Sequence, residues 1–412
     1  MITTRTQKIL INKNSEYWKQ IDDLSFAVKN LYNSANYIVR QEFIKTSKEK
    51  QEGLTEKTHY ITYYDLCYVL KNSEQYKMVG SAIGQDTLKL LDKNWKSYFA
   101  SIKDWNKNKE KYNGMPKMPK YLDKEKGRYV IQLRNQSVKN QDGYVYFGYK
   151  FLRNMNNTFI TIRPEKIYSA RIVPRLPNYV LEIIYQIEVS EESESSERIA
   201  SIDLGVNNLM TVVNNCEEDC FVVNGKPLKS INQYYNKVKA EKQSSLMIKN
   251  GKHYSNAINN LTAKRNRKVE DYIHKSSRYV VDWCVDHNID TLICGHNDGW
   301  KQGSDMGKTN NQNFISIPHT TLIHQLKYKC EDKGIKFVEV KESYTSGTSF
   351  LDNEEPIKEN YDKSRRVERG LFVANDGTQI NADVNGAYQI MRKAFPNVVM
   401  QDVRLHPKII NI

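Results

Sequence analysis

Two short acidic turns, far apart in the chain, constrain the fold more than any other feature. The first is Ala200-Ser201-Ile202-Asp203-Leu204-Gly205-Val206-Asn207-Asn208-Leu209, and the second is Asn381-Ala382-Asp383-Val384-Asn385-Gly386-Ala387-Tyr388-Gln389-Ile390. Asp203 follows the apolar run Arg198-Ile199-Ala200-Ser201-Ile202, which reads as a buried strand, and Gly205 lets the backbone turn away. Asp383 opens a stretch that reads as a helix from Ala382 to Ala394. Singly, each has a plain structural reading, as a turn after a strand and as a helix cap. Together they predict a strand-borne carboxylate facing a helix-borne one.

That pairing is how the RNase H architecture holds two Mg²⁺ ions. Hard divalent cations take carboxylate oxygens, and a pair of them stabilises the attacking and leaving oxygens of a phosphodiester. Two aspartates alone make a poor two-metal site, and the pattern wants a Glu from the strand beside Asp203. That strand is Asp290-Thr291-Leu292-Ile293-Cys294, but Gly295 stands where the Glu is expected. Asp298 is nearby, in the turn-forming Asn297-Asp298-Gly299. The next strand, Ile335-Lys336-Phe337-Val338-Glu339-Val340, leads to Lys341-Glu342-Ser343 and is expected to lie beside the 290–294 strand. Glu339 has the opposite side-chain parity from Glu342. Glu342 is therefore preferred as third ligand over Glu339, and both over Asp298.

The rest of the chain agrees with a nucleic-acid partner. Its 412 residues suffice for two or three domains, and 39% hydrophobic residues allow a sizeable core. A formal net charge of +14 favours a polyanion. No apolar run approaches the ~20 residues of a membrane span, and the N-terminus lacks a signal-peptide core. The expected setting is cytoplasmic and nucleoid-associated, with no membrane partner. The six cysteines include one close pair, Cys216 and Cys220, with no second pair to complete a zinc site. Tyrosine is abundant, at 27 residues, and its rings can stack on unpaired bases.

The pattern along the chain predicts an α+β multidomain protein. Residues 1–12 read as a strand, followed by helices over about 15–48 and 62–107. The prolines of Gly114-Met115-Pro116-Lys117-Met118-Pro119 end that block. Short β segments follow, at Tyr129 to Leu133, Val145 to Tyr149, Thr158 to Ile162, Ala170 to Val173 and Tyr179 to Ile187, and predict a small β-barrel closed by the N-terminal strand. The acidic run 190–197 marks a linker. The remainder alternates strand and helix, which argues α/β, with strands at 199–203, 209–213, 220–224, 290–294 and 335–340. Between them lies a basic helical stretch, 231–287, whose Lys264, Arg265, Arg267, Lys268 and Lys275 suit a phosphate track.

The ordered series of motifs resembles TnpB, the insertion-sequence RNA-guided nuclease family related to type V CRISPR effectors. It runs from the Asp203 motif through His274-Lys275-Ser276-Ser277, Gly299-Trp300-Lys301-Gln302, Asn311-Gln312-Asn313-Phe314, Glu342-Ser343-Tyr344-Thr345-Ser346 and Arg369-Gly370-Leu371 to the Asp383 motif. Leu31-Tyr32-Asn33-Ser34-Ala35-Asn36, Arg40-Gln41 and Gly114-Met115-Pro116-Lys117 extend it into the N-terminal half.

The resemblance implies a wedge-like β-barrel of residues 1–12 and 118–198, a helical recognition lobe of 13–117, and a RuvC (RNase H-like) nuclease domain of 199–412. Within the last, 231–287 is a basic helical insertion and 347–381 a target-binding insertion. The family's zinc ribbon has two Cys pairs there and this chain has none, so no zinc is expected. Asp203, Glu342 and Asp383 are the implied catalytic and metal ligands, for two Mg²⁺ ions with Mn²⁺ as a substitute. The implied partners are a structured guide RNA and target double-stranded DNA, in a monomeric ribonucleoprotein. Base pairing would read the target while the protein reads backbone geometry. Trp300, Lys301, Gln302, Arg365, Arg366 and Arg369 are further nucleic-acid contacts by resemblance, and Tyr32, Asn33 and Gln41 are candidates to face the target-adjacent motif. The alternative is a nuclease-inactive RNA-guided repressor, which Gly295 favours. A covalent transposase would need a nucleophilic Tyr beside a His-hydrophobe-His pair, and none is found in the sequence.

Overall fold

The computed structural model describes residues 2–149, 152, 166–189, 197–297, 312, 314–368 and 370–412. The expected strand at Thr158 to Ile162, most of the acidic run, and Asp298, Trp300, Lys301, Gln302 and Arg369 lie outside the described residues. The chain divides into two units after Ile187, ahead of the 198–199 boundary read from the sequence.

In the N-terminal unit, β1 (Ile2–Ile11) leads into α1 (Trp18–Gln51), whose Ile21, Leu24, Val28, Leu31, Ala35 and Val39 are buried at helical spacing. Helices α2 (Tyr63–Leu70), α3 (Glu74–Val79) and α4 (Ser81–Trp105) follow. The Leu31–Asn36 motif and the proline segment turn out to be one device. Prolines keep residues 116–122 out of regular structure, so its backbone needs side-chain partners. Asn33 bonds both the N–H and the carbonyl of Leu122, at 2.9 Å each. Asn36 and Arg40 each donate to the Pro119 carbonyl at 3.0 Å, and Asn36 also accepts from Trp95 Nε1.

The strands of this unit are β2 (Ile131–Arg134), β3 (Val138–Gln141), β4 (Tyr144–Phe147), β5 (Ile167–Arg175) and β6 (Asn178–Glu188). Instead of a closed barrel, the described residues form a four-stranded sheet of order β1-β6-β5-β2 and a separate β3-β4 hairpin. The hairpin turns on Asp142 and Gly143, both at positive φ, the two-residue turn that matches strand twist.

The C-terminal unit is built on one six-stranded sheet. Its strands are β7 (Ile199–Leu204), β8 (Asn208–Asn214), β9 (Phe221–Asn224), β10 (Thr291–Gly295), β11 (Lys336–Val340) and β14 (Lys408–Ile410). Their order is β11-β10-β7-β8-β9-β14. β7, β8 and β9 form an antiparallel meander, while β10 and β11 add in parallel beside β7. The basic stretch is two helices, α5 (Lys226–Asn250) and α6 (Asn256–Asp286). Gly251, left-handed at φ 61°, ends the first, and the Ser255 side chain caps the second. The small hairpin of β12 (Leu371–Val373) and β13 (Gln379–Asn381) precedes the last helix.

Side-chain parity divides the core into two. Ala200, Ile202 and Leu204 of β7 pack with Leu292 and Cys294 of β10 against α6 and α7 (His319–Glu331). Ile199 and Ile293 face the other way, against α8 (Ala382–Ala394). Asp203 and Gly295 share that second parity, so the strand alternation directs both toward α8.

Candidate active site

Three neighbouring elements deliver the three predicted carboxylates to one region. Asp203 is the fifth residue of β7. Cys294 pairs with Ile202 across β10 and β7, which puts Gly295 level with Asp203. Gly295 also pairs with Val340, two residues before Glu342. Asp383 sits in the first turn of α8, where the Asn381 side chain caps the backbone N–H groups of Asp383 and Val384 at 3.0 and 3.2 Å. Ser201 Oγ donates to the Ala387 carbonyl at 2.6 Å and ties α8 to β7.

Two glycines make room for the acids. A Cβ built on Gly295 would stand 2.6 Å from Glu342 Oε1 and 2.7 Å from its Cγ. The space over Gly295 is therefore filled by the Glu342 side chain, arriving from one strand over. A Cβ on Gly386 would stand 2.9 Å from Asp203 Oδ2, so the helix backbone approaches that carboxyl closely only because residue 386 is glycine. Glu339, the rejected alternative, points to the opposite face, 4.0 Å from Lys327 of α7.

The electrostatics are those of crowded acids. Burial pushes the Asp203 carboxyl well above the usual range, and the charges of Glu342 and Asp383 push it further, with Arg366 acting in the opposite sense. Burial raises Glu342 to about 7, and its Oε1 is buried with no hydrogen-bond partner. Among the described residues, however, no group of three or more His, Cys, Asp or Glu side chains is gathered closely enough to hold a metal ion. The donor set still fits a hard divalent cation. Its members are carboxylates, two of them disfavoured as anions by burial, and one presents an orphaned buried oxygen. Asp203, Glu342 and Asp383 would be the residues to hold it.

Other predicted residues have varied surroundings. Arg366 lies beside the acids, with Nη2 3.5 Å from Asp383 Oδ1. Arg365, expected on nucleic acid, is internal instead. It pairs with Asp352 and with Glu354 (2.7 Å), donates to the Val373 carbonyl and lies over the Phe372 ring. Its fork cross-links the 347–381 insertion, whose described part also carries the Ser349–Glu354 turn. Arg265 is half-buried too, bonded to Asn232 of α5 and the Ser316 carbonyl. Lys264, Arg267, Lys268 and Lys275 are exposed, and Lys275 pairs with Asp271 at 2.9 Å. In the N-terminal unit, Tyr32 is 4% exposed and packs on Tyr129, so it is a core residue. Asn33 is committed to Leu122, while Gln41 is exposed.

One group at the site and one in the core escaped the sequence reading. Asn208 Nδ2 donates to Asp383 Oδ2 at 2.7 Å. Lys329 is fully buried, donates to the His274 carbonyl and Ser277 Oγ at 2.7 Å each, and is lowered to about 8 by burial. The His274–Ser277 motif thus serves α6–α7 packing. No helix among the described residues is long and apolar enough to cross a membrane. All six cysteines are free thiols, five of them buried.

The OrfB_IS605 family profile, described as a probable transposase, matches residues 182–301. The profile of the Cas12f1-like TNB domain matches residues 319–390. The TnpB-like protein ORF457 of Acidianus two-tailed virus is 20% identical over 436 residues, covering 97% of this chain and 88% of the viral protein. The CRISPR-associated endodeoxyribonuclease Cas12f2 of a Micrarchaeota archaeon is 25% identical over 279 residues, 63% of this chain and 48% of that protein. Among solved structures, the Cas12f1 chain of an sgRNA–target DNA complex matches with a TM-score of 0.56 at 15% identity, over 94% of this chain and 98% of that one. That last likeness is one of fold.

Proposed function

We propose that this chain, which belongs to the TnpB family, is an RNA-guided DNA endonuclease. Its C-terminal unit is read as the RuvC nuclease, of RNase H-like strand order, and its partners as a structured guide RNA and target double-stranded DNA. Asp203, Glu342 and Asp383 are assigned as ligands for two Mg²⁺ ions, with Mn²⁺ able to substitute. Bound there, the ions would lower the pKa of a water and neutralise charge on the scissile phosphate. The chain's own residues supply the negative charge, its spacing and its shielding. Ser201 and the Asn381 cap fix α8 against β7. Exposed Lys264, Arg267, Lys268 and Lys275 are assigned to nucleic-acid phosphates.

The observation that carries this reading is the exchange between Gly295 and Glu342. The position that lacks its acid is filled, in space, by an acid from the adjacent strand. A chain that had lost catalysis would have no chemical reason to keep a buried, unpartnered carboxyl there. One observation favours the second reading, a nuclease-inactive RNA-guided repressor: the acids are not gathered to metal-binding distance among the described residues. The test is cleavage of matching DNA by the purified protein–RNA complex in Mg²⁺. Cleavage should vanish in Asp203→Ala and Glu342→Ala while target binding persists. Tight target binding by the parent without nicking, in Mg²⁺ and in Mn²⁺, would establish the repressor instead.

A further inference from the structure

Asp383 is held at both oxygens, by partners of different kinds. Asn208 engages Oδ2 through a neutral hydrogen bond of 2.7 Å. It opens β8 and pairs there with Asn224 of β9, which holds its backbone at the sheet's end. Arg366 engages Oδ1 at 3.5 Å, and its side chain is 35% exposed. It follows the short turn Lys363–Arg365. Arg365 anchors that turn to Asp352, Glu354 and Val373, so the loop has a fixed root from which the long Arg366 side chain extends to Asp383.

A guanidinium beside three crowded carboxylates supplies the positive charge that the cluster lacks. It does so as a single charge at a long distance, in a partly solvated pair of the weak kind. A divalent ion would need the same carboxylate, and an arginine that gives it up would be matched by a backbone phosphate, which guanidinium recognises through two parallel hydrogen bonds.

We propose that Arg366 is an exchangeable counter-cation of the nuclease site. In the nucleic-acid-free protein it occupies Asp383 Oδ1 and competes with the divalent ion. When a DNA strand enters, the guanidinium transfers to a backbone phosphate and releases the oxygen to metal. Asn208 is a positioning residue that keeps the other oxygen oriented in both states. This rests on reading Asp203, Glu342 and Asp383 as a divalent-ion site.

The experiment is a Mn²⁺ titration of the full-length chain freed of nucleic acid, following the electron paramagnetic resonance signal of the free ion. Removing one positive charge about 5 Å from a divalent ion, even at the dielectric constant of water, is worth on the order of tenfold in affinity. Arg366→Gln should therefore bind Mn²⁺ about tenfold more tightly than the parent, Arg366→Lys should stay near the parent, and Asn208→Ala should bind more weakly. In a salt titration of target-DNA binding by the RNA complex, Arg366→Gln should lower the log–log slope by about one, the share of a single phosphate. Unchanged or weakened Mn²⁺ affinity in Arg366→Gln overturns the competition, and an unchanged salt slope overturns the transfer. The control is Asp203→Asn. If it abolishes Mn²⁺ binding while Arg366→Gln has no effect, the inference alone fails. If the parent binds no more Mn²⁺ than Asp203→Asn, the site reading fails with it.

Discussion

Replacing Glu342 by Gln should stabilise the metal-free protein at alkaline pH, although it removes a ligand. The Glu342 carboxyl rises from 4.5 to about 7 in the fold through burial. A raised carboxylate pKa means that the folded state holds a proton which the unfolded state has released. Its contribution is fully present below about pH 4.5 and is lost as pH rises through 7. At about 1.4 kcal/mol per pKa unit, the penalty above pH 7 has an upper bound of about 3 kcal/mol. Glutamine is neutral throughout and escapes it. For a unit of this size each kcal/mol moves the midpoint by roughly 2–4 °C. In calorimetry with EDTA, Glu342→Gln should melt about 5–10 °C above the parent at pH 8 and within about 2 °C of it at pH 5. Adding Mg²⁺ should raise the parent's midpoint at pH 8 and leave the variant's unchanged, because only the parent retains the full ligand set. A variant less stable than the parent at both pH values, or a difference that does not change with pH, would refute the reasoning.

Three further outcomes follow from the same geometry. Gly295→Ala places a methyl 2.6 Å from Glu342 Oε1 and 2.5 Å from Ile390 Cδ1, so guided cleavage should fall at least about 100-fold at a stability loss of about 1–3 kcal/mol; the double variant Gly295→Glu, Glu342→Gly should cleave better than either single one. Arg365→Ala should cost about 3–5 kcal/mol in denaturant unfolding by stranding Asp352 and Glu354, whereas a DNA-contacting arginine would show its loss in binding with unfolding unchanged. Substituting Lys264, Arg267 and Lys268 together by Gln should weaken RNA or target binding and reduce its salt slope by roughly one for each phosphate no longer neutralised, with the melting midpoint preserved.

Much of the C-terminal unit could be read from residues alone. Strands β7 and β10 are buried on both faces and appear as short apolar runs, and Ile199–Leu204 and Thr291–Gly295, like the edge strand Lys336–Val340, lie within a residue or two of where the sequence predicts them. The helix read over Ala382 to Ala394 has those bounds in the structure, where Asn381 caps it. Glu342 was reachable because parity survives the step from strand to loop. What could not be read was how side chains pair. Arg365 and Arg366 are adjacent and alike in sequence, yet one is locked between two acids and the other reaches the candidate site, a difference set by the 352–354 turn and not by local pattern. Tyr32 and Lys329 look like surface residues on polar helices and are buried because a second helix or segment covers them. The break in the basic stretch is signalled by Gly251 and Ser255, but lysine-rich periodicity continues across it and hides it.

The most direct measurement is anomalous diffraction at the manganese edge from crystals of the protein–RNA–DNA complex grown in Mn²⁺ with a non-cleavable target strand. The account predicts two peaks at the strand ends beside α8, within reach of the carboxylates of Asp203, Glu342 and Asp383. Peaks absent from this region, or ligated by Asp203 and Asp383 with Glu342 still folded over Gly295 and out of reach, would contradict it.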